Sequence, residues 1–156
     1  MKKFSLFLLL SIFFLGCSNK SGIHANIKQE QAIVSTQKAK VSAEDNSTML
    51  LMATYLNNIQ KYSNSKKEMI ILSYYYSSFS SETKSLGEFA AKLNDKNIEI
   101  IKLENGDELL KDIPINNTWS KHYLLLSTQQ ETTNILKLTV EIYPFPPVLL
   151  ELSKEL

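Results

Sequence analysis

Alternation of apolar and polar residues at every second position is the feature that most constrains the fold of this chain. The pattern is clearest in residues 136–142, where polar residues separate four apolar side chains: Leu136, Leu138, Val140 and Ile142. Successive side chains of a β-strand point to opposite faces of the sheet. This segment therefore predicts a strand with one buried face and one solvated face.

Similar segments recur along the chain and are separated by turn residues. They cover residues 48–56, 68–76, 97–103, 122–127 and 148–152. We interpret residues 31–43 as an edge strand, with a short helix as the alternative. About seven short strands predict an all-β fold, an immunoglobulin-like sandwich without its disulfide. Another small β-sandwich or an open barrel is the competing fold.

Two local signals refine this prediction. Leu86, Phe89, Ala90 and Leu93 have helical spacing and predict one short amphipathic helix. Asn105-Gly106 predicts a type I′ hairpin turn, because both residue types tolerate positive φ. Pro114 is then expected to end the returning strand.

The N-terminus has the three parts of an export signal: Lys2-Lys3, an apolar core over residues 4–15, and the small residue Gly16 before Cys17. The core is shorter than the roughly 20 apolar residues of a spanning helix. Cys17 is the only cysteine and cannot form an internal disulfide. An uncleaved anchor or an ordinary secretory signal is the alternative.

Gly16-Cys17 resembles the lipobox of bacterial lipoproteins, and this resemblance implies cleavage after Gly16 and acylation of Cys17. Residues 53–57, residues 119–124 and the closing hairpin are similar to small Ig-like surface lipoproteins of the Campylobacter and Helicobacter group. We therefore expect a signal peptide (1–16), a lipidated Cys17 with a flexible tether (17–30), and an Ig-like domain (31–156). Ser18 stands where some lipoproteins carry an inner-membrane retention aspartate, which favours the outer membrane. The sequence leaves the surface and periplasmic sides unresolved.

Charge and composition exclude several classes of partner. Without residues 1–16 the chain carries 15 lysines against 16 acidic groups, a net charge of −1, and it has no arginine. A nucleic-acid partner is not expected, because its binding needs a clustered basic face. Bidentate clamps on phosphate or carboxylate groups need the guanidinium fork, so they are excluded as well.

Two candidate sites emerge from residue types. Asn46 lies in Glu44-Asp45-Asn46-Ser47-Thr48, which resembles the acid-x-Asn-x-Ser/Thr acceptor of bacterial N-glycosylation; the alternative is an ordinary polar turn. Tyr74, Tyr75 and Tyr76 form a candidate binding surface, with Tyr75 pointing away from the other two, because tyrosine is frequent at binding faces. Core packing is the alternative for these tyrosines.

The sequence shows no nucleophile elbow, phosphate loop or spaced metal ligands, and we expect neither a catalytic site nor a cofactor. We interpret His122 as a structural histidine, and the acids around Asp107 as a solvated turn. The favoured function is a lipid-anchored binding module for a protein or glycan partner, with host-cell adhesion as one form. A structural or assembly subunit of a periplasmic or outer-membrane complex is the alternative, and an enzyme with an unrecognised site is third.

Overall fold

Two antiparallel sheets form the fold in the computed structural model, which describes residues 27–77, 89–114 and 116–155. Within these ranges there is one α-helix, α1 (Ile27–Val34), and short 3₁₀ helices span Leu56–Asn58, Gln60–Tyr62 and Glu108–Asp112. The nine strands of the described ranges are β1 (Thr36–Ser42), β2 (Thr48–Tyr55), β3 (Met69–Ser77), β4 (Phe89–Leu93), β5 (Lys96–Asn97), β6 (Glu99–Leu103), β7 (Lys121–Leu126), β8 (Ile135–Ile142) and β9 (Val148–Ser153).

The strand order is that of an immunoglobulin-like sandwich. The first sheet runs β1-β2-β3-β7-β6 and the second runs β5-β4-β8-β9. In the strand lettering of immunoglobulin domains, β2 corresponds to strand A and β9 to strand G. The two sheets then have the orders A-B-E-D and C′-C-F-G, and β1 pairs with the free edge of strand A. The predicted all-β, Ig-like sandwich is confirmed, and β1 and β5 add two strands to the seven of the basic fold.

The main core lies between the two sheets. The predicted inner face of β8 is confirmed, since Leu136, Leu138, Val140 and Ile142 are all buried. The first sheet meets this face with alternate residues of β2, β3 and β7, which include Met49, Leu51, Ala53, Tyr55, Ile70, Leu72 and Leu125. Burial of this alternating set holds the sheets together through the hydrophobic effect.

A second apolar cluster covers the outer face of the first sheet. Ile71 and Leu124 point away from the main core and pack under α1 and the 3₁₀ segments. The covering side chains are Ala32, Leu56, Ile59, Leu110 and Ile113. The centre of this sheet is therefore apolar on both faces, which explains why β3 has a continuous apolar run instead of an alternating one.

The helix predicted from Leu86 to Leu93 is wrong where it can be compared. Phe89–Leu93 is strand β4, paired with β8 from Phe89↔Ile142 to Leu93↔Leu138, whereas Leu86 lies outside the described residues. Ala91 and Leu93 are buried, and Lys92 between them is exposed. Phe89 and Leu93 are four residues apart, a spacing that fits a helix face and a strand face equally, and pairing with β8 decides between them.

The predicted Asn105-Gly106 hairpin is also wrong. Gly106 has φ 101° in a turn closed by Asp107 N donating to the carbonyl oxygen of Glu104 at 3.0 Å, but a 3₁₀ helix (Glu108–Asp112) follows instead of a returning strand. Asp107 starts that helix, since its Oδ1 accepts from Leu109 N at 2.9 Å. The two consecutive positive φ values of a type I′ turn occur instead at Asn94 and Asp95, between β4 and β5.

The N-terminal boundary differs from the prediction in one respect. Strand β1 falls inside the predicted edge strand 31–43, but residues up to Val34 belong to α1, which begins at Ile27 within the predicted tether. Thr36 joins the helix to the sheet: its Oγ1 donates to the carbonyl oxygen of Ala32 at 2.6 Å and lies 2.8 Å from Thr54 Oγ1. Residues 1–26, which include Gly16 and Cys17, lie outside the described residues.

Candidate functional site

The three consecutive tyrosines of β3 have different environments. Tyr75 points away from its neighbours, as predicted, and is 40% exposed. Tyr74 is only 3% exposed and stacks on Tyr123 with ring centroids 5.9 Å apart, so its assignment to a binding surface is wrong. Tyr76 is half-buried and meets Phe145 edge to face at 5.8 Å. The strand pleat thus places Tyr74 and Tyr76 on the core side and leaves Tyr75 outside.

Asn46 lies at the tip of the turn between β1 and β2. Its φ is 63°, its side chain is exposed, and Ser47 N donates to Asp45 Oδ1 at 2.9 Å. The alternative interpretation as a polar turn is therefore confirmed, because Asp45 makes the side-chain bond typical of such turns. The turn presents Asn46 to solvent, as a modified residue requires, and glycosylation stays a prediction.

Three connections between described strands meet at one end of the sandwich, which we call the Tyr143 end. It is the end at which β3 finishes at Ser77, opposite Thr48, and β8 finishes at Ile142, opposite Phe89. Strand β7 begins there at Lys121, opposite Tyr74. The turn 43–47, the connection 104–120 and the β8–β9 connection 143–147 consequently all leave strands at this end.

The exposed aromatic side chains of the described residues concentrate at the Tyr143 end. Trp119 is 78% exposed and lies two residues before β7, Tyr143 is 76% exposed directly after β8, and Tyr75 lies near the end of β3. The backbone around Trp119 is fixed by Asn117, whose Oδ1 accepts from Trp119 N at 3.0 Å and from Ser120 N at 2.8 Å. Solvent-exposed Trp and Tyr on a fixed backbone are typical of protein-binding surfaces.

A cleft with a volume of about 600 Å³ opens at the same end. The turn 42–45 forms one wall and residues 143–146 form the other, and the described lining residues are Ser42, Ala43, Glu44, Asp45, Tyr143, Pro144, Phe145 and Pro146. Phe145 is buried and joins the cleft to the core through Tyr76. Proline fixes φ at two of the lining positions, so this wall is stiff before any ligand arrives.

Comparisons with known proteins were made by family, by sequence and by structure. No family model, curated protein or solved structure matches the chain. The assignment of a function therefore depends on the geometry of the described residues.

None of the described helices combines the length and the apolar character that crossing a bilayer requires. The described residues also contain no group of three or more His, Cys, Asp and Glu side chains placed to hold a metal ion.

A buried serine–histidine pair lies on the outer face of the first sheet and was not found from the sequence. Ser73 and His122 are register partners on β3 and β7, and Ser73 Oγ lies 2.7 Å from His122 Nδ1. His122 Nε2 lies 3.4 Å from the carbonyl oxygen of Asn117, which can only accept. Nε2 therefore carries the proton, and Nδ1 accepts from the Ser73 hydroxyl.

Serine and histidine at this distance have the arrangement of an activated nucleophile, but substrate access is missing. Both side chains are buried, and the hollow over Ser73, lined by Ile113 and Pro114, contains essentially no free volume. The pair therefore acts structurally, joining β3, β7 and the connection that carries Trp119. Its sequence signal was a histidine on a face otherwise occupied by leucines.

The buried imidazole predicts a pH dependence of stability. Burial lowers the pKa of His122, whereas the Asn117 carbonyl partly opposes this effect. The unfolded chain then binds more protons than the fold below pH 6.5, so the contribution is fully present above pH 6.5 and decreases on acidification. We expect the free energy of unfolding to fall by up to about 1.4 kcal/mol per pH unit for this one proton.

Urea unfolding of the wild type and of His122→Gln between pH 7.5 and 5.0 measures this dependence. The variant is expected to be less stable at pH 7.5 but to have a flatter profile, because glutamine does not titrate. His24→Gln is the matched control and keeps the wild-type slope. Equal slopes for wild type and His122→Gln would contradict the assignment.

Proposed function

We propose that the chain is a lipid-anchored lipoprotein of the bacterial cell envelope and binds a protein or glycan partner through the Tyr143 end of its Ig-like domain. The observation that carries this proposal is the concentration of Trp119, Tyr143 and Tyr75 at the end of the sandwich where the cleft opens. The anchor is assigned to Cys17 from its resemblance to a lipobox. Outer-membrane attachment is favoured because Ser18 stands where some lipoproteins carry an inner-membrane retention aspartate, and adhesion to host cells is one form of the proposed activity.

The energetics of binding favour this end. Tryptophan and tyrosine are over-represented among the residues that contribute most to protein interfaces, because each buries a large rigid surface with little loss of conformational entropy. Strands fix the starting points of the loops, so ordering them costs less on association than ordering a free segment would. By contrast, polar side chains line the outer face of β8: Lys137, Thr139 and Glu141.

The proposal predicts where a partner touches the chain. A photo-activatable amino acid is placed at Trp119 or Tyr143 of the full chain, in cells that display it in their envelope. We expect crosslinks from these two positions to the same partner, since both leave the sandwich at one end. Mass spectrometry of the crosslinked species identifies the partner protein or glycan.

Matched control positions are available at the opposite end and on the outer face of the second sheet. Ile135 and Leu149 are also apolar and are also more than half exposed. Crosslinks that arise only from Ile135 or Leu149, or equally from all four positions, would contradict binding at the Tyr143 end. External protease on intact cells then separates the two cellular settings: digestion supports an exposed adhesin, and full protection supports the periplasmic assembly subunit.

A further inference from the structure

The charged side chains among the described residues that line the cleft are acidic: Glu44 and Asp45. Asp45 Oδ1 accepts from Ser47 N at 2.9 Å within the turn, so the ligand charge is assigned to Glu44, which lies exposed at the mouth of the turn. A carboxylate beside walls of low polarity raises the local concentration of cations.

The remaining lining fits a long cationic side chain. The Tyr143 ring is exposed, and the face of a tyrosine ring attracts an ammonium or guanidinium group. Ala43, Pro144, Phe145 and Pro146 offer carbon surface along which the aliphatic stem of a lysine or arginine can lie. The volume of about 600 Å³ is within the usual range for ligand clefts.

A neutral glycan fits the same lining less well. Sugar hydroxyl groups donate and accept hydrogen bonds, so their sites normally combine acceptors with side-chain donors. Here the described lining contributes acceptors from Glu44 and Asp45, whereas its side-chain donors are limited to the hydroxyls of Ser42 and Tyr143. The balance of groups therefore favours a cation.

We infer that the cleft binds a lysine or arginine side chain of a protein partner, with Glu44 as the charge partner and Tyr143 as the aromatic wall. The inference rests on the proposed binding function of the Tyr143 end and adds the chemical class of the ligand. It places specificity in the turn 42–45 and the segment 143–146, and leaves Trp119 as a contact outside the cleft.

The test uses the purified full chain in detergent and two fluorescent peptides. One contains four lysines separated by glycines, and the other has the same sequence with every lysine Nε-acetylated, which removes the charge and keeps the stem. We expect fluorescence anisotropy to show at least tenfold tighter binding of the unmodified peptide, and weaker binding at high salt. Glu44→Gln is expected to reduce affinity about threefold and Tyr143→Ala about tenfold.

Matched controls remove comparable groups outside the cleft. Glu151→Gln removes an exposed carboxylate from β9, and Leu149→Ala removes an exposed apolar side chain from the same strand; both are expected to bind like the wild type. Equal binding of the two peptides, or equal effects of Glu44→Gln and Glu151→Gln, would overturn the inference. Binding of a neutral chitooligosaccharide that is lost in Tyr143→Ala but kept in Glu44→Gln would assign the cleft to a glycan instead.

The two proposals can fail separately. Crosslinks from Trp119 and Tyr143 without binding of the lysine peptide would leave the binding end in place and remove the cationic ligand. Tight lysine-peptide binding at the cleft without crosslinks in cells would leave the ligand chemistry in place and remove the cellular partner at this end.

Discussion

Replacing Glu68 with alanine is expected to lower the free energy of unfolding by about 3 kcal/mol. The Glu68 side chain is fully buried at the end of the sandwich opposite Tyr143, directly before β3. Its Oε2 accepts from the Tyr55 hydroxyl at 2.5 Å, and its Oε1 accepts from Glu131 N at 2.6 Å and Lys154 Nζ at 2.9 Å. Alanine leaves these donors without their buried acceptor. The resulting loss of folding free energy is larger than the loss caused by breaking an exposed ion pair.

The network around Glu68 joins segments that are distant in sequence. Its backbone N–H donates to Ser127 Oγ at 2.7 Å, and Lys154 Nζ also donates to the carbonyl oxygen of Glu131 at 2.6 Å. Burial, together with the hydrogen bond to Glu68, raises the pKa of Tyr55 above its usual range, so this phenol stays protonated in the fold. Loss of Glu68 therefore affects β2, β3, the β7–β8 connection and the end of β9 together.

Urea unfolding measures the effect as a lower midpoint with an unchanged slope. Glu68→Gln is expected to lose about 1.5 kcal/mol, because the amide keeps the volume and one acceptor but directs its NH₂ toward a donor. Glu104→Ala is the matched control, since its pair with Lys102 is exposed and such pairs contribute at most about 1 kcal/mol. A Glu68→Ala midpoint no lower than that of Glu104→Ala would contradict a structural role for the network.

Replacing Cys17 with alanine is expected to abolish incorporation of fatty acid completely. If Cys17 is the acylated residue, its thiol is the only sulfur that can carry a diacylglycerol, because the chain has one cysteine. Metabolic labelling of the full chain with an alkyne-bearing palmitate measures acylation. The intact mass of the protein then shows whether residues 1–16 have been removed. The wild type is expected to show label and loss of residues 1–16.

Ser18→Ala is the control for Cys17→Ala, since it changes the next residue and leaves the thiol. It is expected to keep the label at the wild-type level. Stable anchoring needs two or more acyl chains, whereas one chain gives only marginal membrane binding. Persistent label in Cys17→Ala would remove the lipoprotein proposal but would leave the binding surface of the domain untouched.

Half-buried strands were the part of the fold that could be predicted from the sequence. Residues 136–142 alternate because one face meets the core and the other meets water, so period-2 patterning carries the information directly. In β2 the residues from Leu51 to Tyr55 are buried on both faces. Residues 89–93 gave the wrong prediction because their alternation is short and is compatible with a helix. What decides the strand is pairing with β8, about 50 residues further along, which no local pattern records.

The candidate site was less predictable for a similar reason. Tyr75 was expected to face away from its neighbours, and this follows from the strand pleat alone. The cleft joins residues 42–45 to residues 143–146, and only the sandwich topology brings these segments together. The one available signal for the Glu68 network was a lone carboxylate directly before a buried apolar run, which normally needs a partner.

The antiparallel pairing of β1 and β2 has a directional consequence for an anchored chain. Thr36, the first residue of β1, pairs with Thr54 at the Glu68 end, and Ser42, the last, pairs with Thr48 at the Tyr143 end. At about 3.3 Å per residue, this seven-residue strand carries the chain roughly 20 Å from its junction with α1 to the cleft. In a chain anchored before α1, the sandwich therefore acts as a spacer between the α1–β1 junction and the aromatic side chains of the Tyr143 end.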